Sequence, residues 1–285
     1  MGVDIQALRF LLRSRNSVSF ENFLMLGRQW RHVSWKVLER ELRRNDLGST
    51  NIQPTIAKTG ESRFFEPVLE LLGARTVESL DFSDYEQATF VHDINEPIPD
   101  NLKNRFSCVY DGGTLEHVFD FPRAIRNAME MVTIGGHFLG VGPTNNYSGH
   151  GFYQFSPELY WSIFSEANGY AIEEISVCEA RRNAPCYRIV NPAELGRRVQ
   201  FTNSRATYVM VRAKRLRQAE IFKTIPQQSY YETSWSAHTG NMNPQPRRKD
   251  MRNWAKHALP EPVKKLLRPL VPQVRELRFS GFKKI

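Results

Sequence analysis

The chain has 285 residues, 41% hydrophobic and 24% charged, enough for one large domain with an appendage and for a core that needs no staples. Three cysteines (Cys108, Cys178, Cys186) with no CxxC spacing exclude a disulfide scaffold and a zinc ribbon, and the lack of any run of about 18 apolar residues excludes a spanning helix. The net charge of +9 lies wholly in residues 241–285, with 12 Lys and Arg against 3 Asp and Glu; residues 1–240 carry 27 of each sign, which excludes nucleic acid spread over the main domain.

At the N-terminus, Phe10-Leu11-Leu12 between arginines is too short for a signal peptide, so a reducing cytoplasm is expected. Five short apolar runs follow, each stopped by a polar residue or a turn: Asn22–Leu26 at Gly27, Thr76–Leu80 at Asp81, Thr89–His92 at Asp93, Phe106–Tyr110 at Asp111, and His137–Val141 at Gly142-Pro143. Runs of this kind predict buried strands. Helices are predicted between them. Ser34 to Arg44 has Ser34 as its cap, Ser62 to Leu72 becomes regular near Glu66 and ends at Gly73, and Pro122 to Val132 opens on proline. Residues 45–61 read as an inserted loop. Two later runs, Ala171–Val177 and Ala206–Ala213, with an irregular charged segment between them, predict an antiparallel edge. The alternation predicts an α/β fold, a doubly wound, mostly parallel sheet over residues 1–224. Residues 225–285 read as a Pro-containing linker and basic tail, with an amphipathic piece from Val263 broken by Pro269 and Pro272. Such a tail can touch an anionic membrane surface, placing the protein peripherally at the inner face, or an acidic partner.

In open α/β sheets ligands sit beyond the carboxyl ends of the strands, and three of those ends carry Asp81, Asp93 and Asp111. A carboxylate there can accept from both hydroxyls of a ribose, and one on the next strand from an adenine amine. Gly27-Arg28-Gln29 has a single glycine where a GxGxxG loop would cradle a pyrophosphate, and 54 residues separate Gly27 from Asp81 where the dinucleotide pattern has about 20. Both facts disfavour a dinucleotide and ATP. They disfavour a nucleoside ligand without phosphates much less.

The stretch from Phe106 to Val118, with Asp111-Gly112-Gly113 and Leu115-Glu116-His117, and then Gly135-Gly136 before a strand, resembles class I S-adenosylmethionine-dependent methyltransferases, the Leu-Glu-His type among them, over roughly residues 20–215. The resemblance implies a seven-stranded Rossmann-like methyltransferase sheet with an antiparallel last strand and S-adenosylmethionine as cofactor. Its site would comprise Gly27, Arg28, Gln29, Asp81, Phe82, Asp93, Ile94, Asp111, Gly112 and Gly113. Direct displacement at a sulfonium methyl needs no metal. It does need a base when the acceptor is a hydroxyl, for which His117 and His150 are the candidates. Glu116, Asn145, Tyr147, Tyr153 and Gln154 are the candidate contacts to a small-molecule or glycan-type acceptor. The rival readings are a non-catalytic adaptor tethered by the tail, and a nicotinamide-dependent oxidoreductase.

Overall fold

The computed structural model describes residues 2–231, apart from 46, 48, 49, 60, 61, 196, 197 and 230, together with 282–284. The amphipathic piece from Val263 and most of the basic tail lie outside the described residues.

Helix α1 (Ile5–Ser14) follows the two-residue strand β1 (Gly2–Val3), and the Asp4 carboxylate caps it by accepting from the backbone N–H groups of Gln6 and Ala7, both at 2.9 Å. Then come β2 (Asn22–Leu26), β3 (Trp30–Arg31), α2 (Trp35–Arg44), α3 (Gln53–Thr59), α4 (Glu66–Leu71), β4 (Thr76–Asp81) and β5 (Phe90–Val91). The second half supplies β6 (Phe106–Asp111), α5 (Phe121–Met131), β7 (Val132–Asn145), α6 (Pro157–Ile163), β8 (Tyr170–Glu179), β9 (Cys186–Ile189), α7 (Pro192–Leu195), β10 (Thr207–Arg215) and β11 (Phe282–Lys284).

Nine strands form the main sheet, in the order β11-β9-β8-β10-β7-β6-β2-β4-β5. Eight come from residues 22–215 and the ninth is the C-terminal β11, so the expected seven is corrected upward. The extra two are β9 and β11, short strands at one edge whose few residues leave no apolar run to read. From β5 to β7 every pairing is parallel, and from β7 to β11 every pairing is antiparallel. Counting the main-sheet strands in chain order from β2, positions 3-2-1-4-5 reproduce the doubly wound order, and β10 is slipped antiparallel between the fifth strand and β8.

β2 reads as an unbroken apolar run because it is covered on both faces. Leu24 and Leu26 join Val109 and Phe138 in a core under α5 and α6. Phe23 and Met25 join Cys108 and Tyr110 in a second core under α1, α2 and α4. At β7 the predicted helix-to-strand boundary shifts. The helix ends at Met131, and the strand begins at Val132 rather than His137. Gly135 sits at φ +84°, and a β-carbon on Gly136 would lie 2.8 Å from the Ser107 carbonyl oxygen, so the glycine pair carries an irregular register between β6 and β7. The segment 45–61 contains α3. No helix among the described residues is long and apolar enough to cross a membrane.

Candidate functional site

The carboxyl ends of β2, β4 and β5 open on a crevice of about 380 Å³ whose lining includes Leu26, Asp81, Phe82, His92, Asp93, Ile94, Thr114 and His117. The Asp81 carboxylate closes β4. One oxygen accepts from the Phe82 N–H at 2.7 Å and the other, more loosely, from the Arg28 N–H at 3.4 Å. Asp93 is fixed by Asn95, whose backbone N–H and side-chain amide both donate to the same carboxylate oxygen at 2.9 and 2.7 Å; these bonds hold its carboxyl below the usual range. The Phe82 ring stands 71% exposed at the rim. Two oriented carboxylates and an exposed ring therefore face one crevice.

The turn after β6 closes on itself. Asp111, buried at the strand end, accepts from the N–H groups of Thr114 and Leu115 at 2.8 and 3.3 Å. Burial pushes its carboxyl up to about 6 against those bonds. Gly113 adopts φ +97°, a conformation only glycine takes without strain. The turn delivers Glu116 and His117 side by side. Glu116 is 1% exposed, its Oε2 has no hydrogen-bond partner, and burial followed by the Asp111 charge pushes its carboxyl up to about 8.

Behind this turn lies a second cavity of about 480 Å³, lined among others by Asp4, His32, Tyr110, Glu116, His117, Tyr147, His150 and Tyr208. His117 borders both cavities. Burial, and then the neighbouring His150, hold its imidazole below the ordinary value, so it is neutral and able to take a proton at pH 7. The loop after β7 is tied to the Glu116 carbonyl by the N–H groups of Phe152 (2.7 Å) and Tyr153 (3.2 Å). It thereby holds His150 over the turn, with Nε2 3.6 Å from Glu116 Oε1 and ring centroids 5.0 Å from His117. Tyr147 stacks on Tyr208 at 5.5 Å; burial raises both phenols, Tyr147 to about 12, so both remain hydroxyl donors.

Several of the expected contact residues have partners within the chain. Arg28 does not reach the crevice, because its guanidinium pairs with Glu66 at 2.5 Å and covers the Phe64 ring at 3.7 Å. Gln29 is fully buried and donates to the carbonyls of Leu26 and Gly27. Gly112, which with Gly113 lines the larger cavity, also makes room for that glutamine, since a β-carbon would sit 2.5 Å from Gln29 Oε1. Gly27, at φ +65°, turns the chain beside Asp81 and lines neither cavity. Asp111 holds its own turn through one oxygen, while its Oδ2 has no hydrogen-bond partner. Asn145 donates to Asn203 at 2.8 Å, the Tyr153 hydroxyl donates to the Phe119 carbonyl at 2.7 Å, and Gln154 accepts from the Tyr147 N–H at 2.8 Å. Of the expected acceptor contacts, Glu116 and Tyr147 line the larger cavity and the other three only shape it. Residues the sequence reading missed are Asp4, His32 and Tyr208 in that cavity and His92 and Asn95 in the crevice. Asp4 before an apolar-rich stretch was the one local signal, a helix cap in front of α1.

No protein-family model and no curated protein matches the sequence. Similar solved structures include a SAM-dependent methyltransferase from Aquifex aeolicus, 9% identical, covering 74% of this chain and 94% of that one, with a TM-score of 0.38. The 1,6-didemethyltoxoflavin-N1-methyltransferase of Burkholderia thailandensis, solved with S-adenosylhomocysteine, is 10% identical over 75% of this chain and 78% of its own, with a TM-score of 0.38. The branched-chain polyamine synthase of Thermus thermophilus, solved with 5′-methylthioadenosine, is 15% identical over 78% of this chain and 58% of its own, with a TM-score of 0.39. At this distance chemistry has to be read from the side chains.

Proposed function

We propose that the protein is an S-adenosylmethionine-dependent methyltransferase acting on a small-molecule acceptor. One observation carries the reading: a carboxylate-lined crevice and an aromatic-walled cavity, about 380 and 480 Å³, meet at His117. Both volumes fall in the range of small-ligand sites, about 300–1,000 Å³. In this reading Asp81 accepts from the ribose hydroxyls, Asp93 from the adenine amine, and Phe82 and Ile94 flank the base. The acceptor would occupy the larger cavity, beside His117 and the stacked pair of Tyr147 and Tyr208. In such a transfer the acceptor's lone pair takes the methyl carbon, the carbon–sulfur electrons return to sulfur as a neutral thioether, and His117 or His150 would take the acceptor proton. Side-chain alignment does most of the work; a well-oriented pair of reactants can remove about 7–11 kcal/mol of the barrier.

Calorimetric titration of the purified chain with S-adenosylhomocysteine and, separately, with NAD tests the cofactor. One site for the former and none for the latter is expected; the reverse would mean a nicotinamide enzyme. His117→Asn is expected to lower the rate of methyl transfer to a responding acceptor by about 10²–10⁴ while leaving cofactor affinity within threefold. Equal losses in both would make His117 a purely structural residue.

A further inference from the structure

The polar cluster between the two cavities has the composition of an ion site. Glu116, His117 and His150 each offer one ligand atom, and the three atoms lie within 4.8 Å of one another. We propose that these three side chains bind a single divalent transition-metal ion, for which zinc is the reference, leaving a coordination position open toward the larger cavity.

Two imidazoles and a carboxylate are a donor set suited to such ions, and three protein ligands with an open fourth position are the pattern of a reactive rather than a structural zinc. One separation already agrees. Zinc–ligand distances near 2.1 Å at tetrahedral angles put ligand atoms about 3.4 Å apart, and Glu116 Oε1 stands 3.6 Å from His150 Nε2. Both histidines are exposed and can close the remaining gap by side-chain rotation, while the buried Glu116 is fixed.

A second, independent observation points to a ligand. Glu116 is 1% exposed, yet its Oε2 has no hydrogen-bond partner. A buried carboxyl oxygen without a partner is costly, and a cation held by both oxygens of Glu116 would satisfy it. The main chain also holds the ligands together, because the loop that carries His150 is bonded at Phe152 and Tyr153 to the carbonyl of Glu116. Two segments separated by more than thirty residues are thus registered at the three donor atoms.

What the ion would do for catalysis rests on the methyltransfer reading. It would bind the acceptor through a hydroxyl oxygen and lower that hydroxyl's pKa, as zinc does for bound water. With the ion bound, the two imidazoles would be ligands in place of the base role given to them above, and the acceptor proton would pass to bulk water.

The full-length chain, stripped with a chelator and titrated with zinc chloride by calorimetry, is expected to take up one ion per chain. Substitution of cobalt(II) should give a visible ligand-field band. His150→Ala alters an exposed residue, so folding is spared, and Glu116→Gln keeps the buried shape. Each should weaken zinc binding more than the roughly 10–100-fold lost when a residue that merely orients a ligand is removed. His92→Ala, outside the cluster, should leave zinc binding unchanged. Zinc uptake that is absent, or unaltered in His150→Ala, overturns the proposal. X-ray absorption of the zinc-loaded wild type gives a reading that needs no variant, with two imidazoles per zinc expected and fewer refuting the site. S-adenosylhomocysteine titrated into the metal-free chain separates the two ideas, since binding there without zinc uptake would sink the ion site alone.

Discussion

A β-carbon placed on Gly151 would lie 2.7 Å from the carbonyl oxygen of Glu116. Gly151 also sits at φ +76°, so both space and backbone conformation demand glycine. That close approach lets the Phe152 N–H reach the same carbonyl at 2.7 Å and suspends His150 above Glu116. Gly151 is therefore the spacer that lets the post-β7 loop close on the turn that carries Glu116.

Gly151→Ala should push the loop away from the turn. The strained φ costs about 1–2 kcal/mol, felt mostly in a surface loop. A drop of a few degrees in Tm is expected, together with a disproportionate loss of any function that needs His150 beside Glu116. Hydrogen exchange at the Phe152 and Tyr153 amides reads the detachment directly. Protection equal to wild type would show that the loop accommodates the methyl group.

Much of the scaffold was legible because its signals are local. Asn22–Leu26 is an unbroken apolar run, Ser34 caps α2, and Asp81 closes β4 where the run stops. Helix α1 was not legible for the opposite reason. It is buried on most of its surface, so it lacks a clean polar face, and Arg9 and Arg13, which suggest an exposed helix, instead meet Glu41 and Glu174 from distant parts of the chain. The larger cavity was half visible. Glu116, His117 and Tyr147 come from readable turns, whereas Asp4 and Tyr208 reach it only because β1 and β10 lie where the tertiary fold puts them. Arg28 and Gln29 had the right chemistry in the right segment, but intramolecular partners had already taken them.

Asp81→Ala isolates the crevice from the core. The carboxylate is partly exposed, and its bonds are to the N–H groups of Phe82 and Arg28 at the strand end. Losing them costs about 0.5–1.5 kcal/mol each at most, so Tm should stay within a few degrees. Binding of S-adenosylhomocysteine should become undetectable by calorimetry. Normal binding in this variant would remove Asp81 from the site.

Glu41 supplies the pH dependence of stability. It is buried in α2, accepts from Arg9 through both oxygens at 2.8 and 3.1 Å, and has Arg40 and Arg44 within 3.4 Å. Burial works to raise its pKa, but the Arg9 bond and then the charges of Arg9, Arg44 and Arg40 prevail and hold the carboxyl below its ordinary value of 4.5. A carboxyl with a depressed folded-state pKa stabilises fully above 4.5 and loses that contribution as pH falls through the lower folded value. Glu41→Gln should thus cost about 1–2 kcal/mol at pH 7, discounted for the partly exposed arginines. The gap between wild type and variant should shrink steadily in urea titrations below pH 4.5. A gap independent of pH would mean that shape, not charge, is what α1 and α2 share at this point.

Arg215 closes the junction where α5 runs directly into β7. No glycine ends that helix; Val132 takes strand geometry at once, with φ −69° and ψ 137°. The exposed carbonyls are met from the side instead. The Arg215 guanidinium, 2% exposed, donates to Glu130 at 3.1 Å and to Val132, and its other terminal nitrogen donates to Gln218 at 2.7 Å, while the Tyr170 hydroxyl takes the Met129 carbonyl at 2.6 Å. Arg215→Met keeps the volume and removes the donors; the Glu130 carbonyl still accepts from the Asn104 N–H at 2.8 Å, so the cost falls on Val132. A loss of about 1–3 kcal/mol is expected in denaturant unfolding, along with faster exchange of the amides at the start of β7. Arg215→Lys should recover only part of it, because an ammonium cannot span two carbonyls and an amide as the planar fork does. If methionine proved neutral, ordered water would have to be serving the Val132 carbonyl, and the junction would be held by the Asn104 and Arg105 N–H groups and the parallel pairing of β6 and β7.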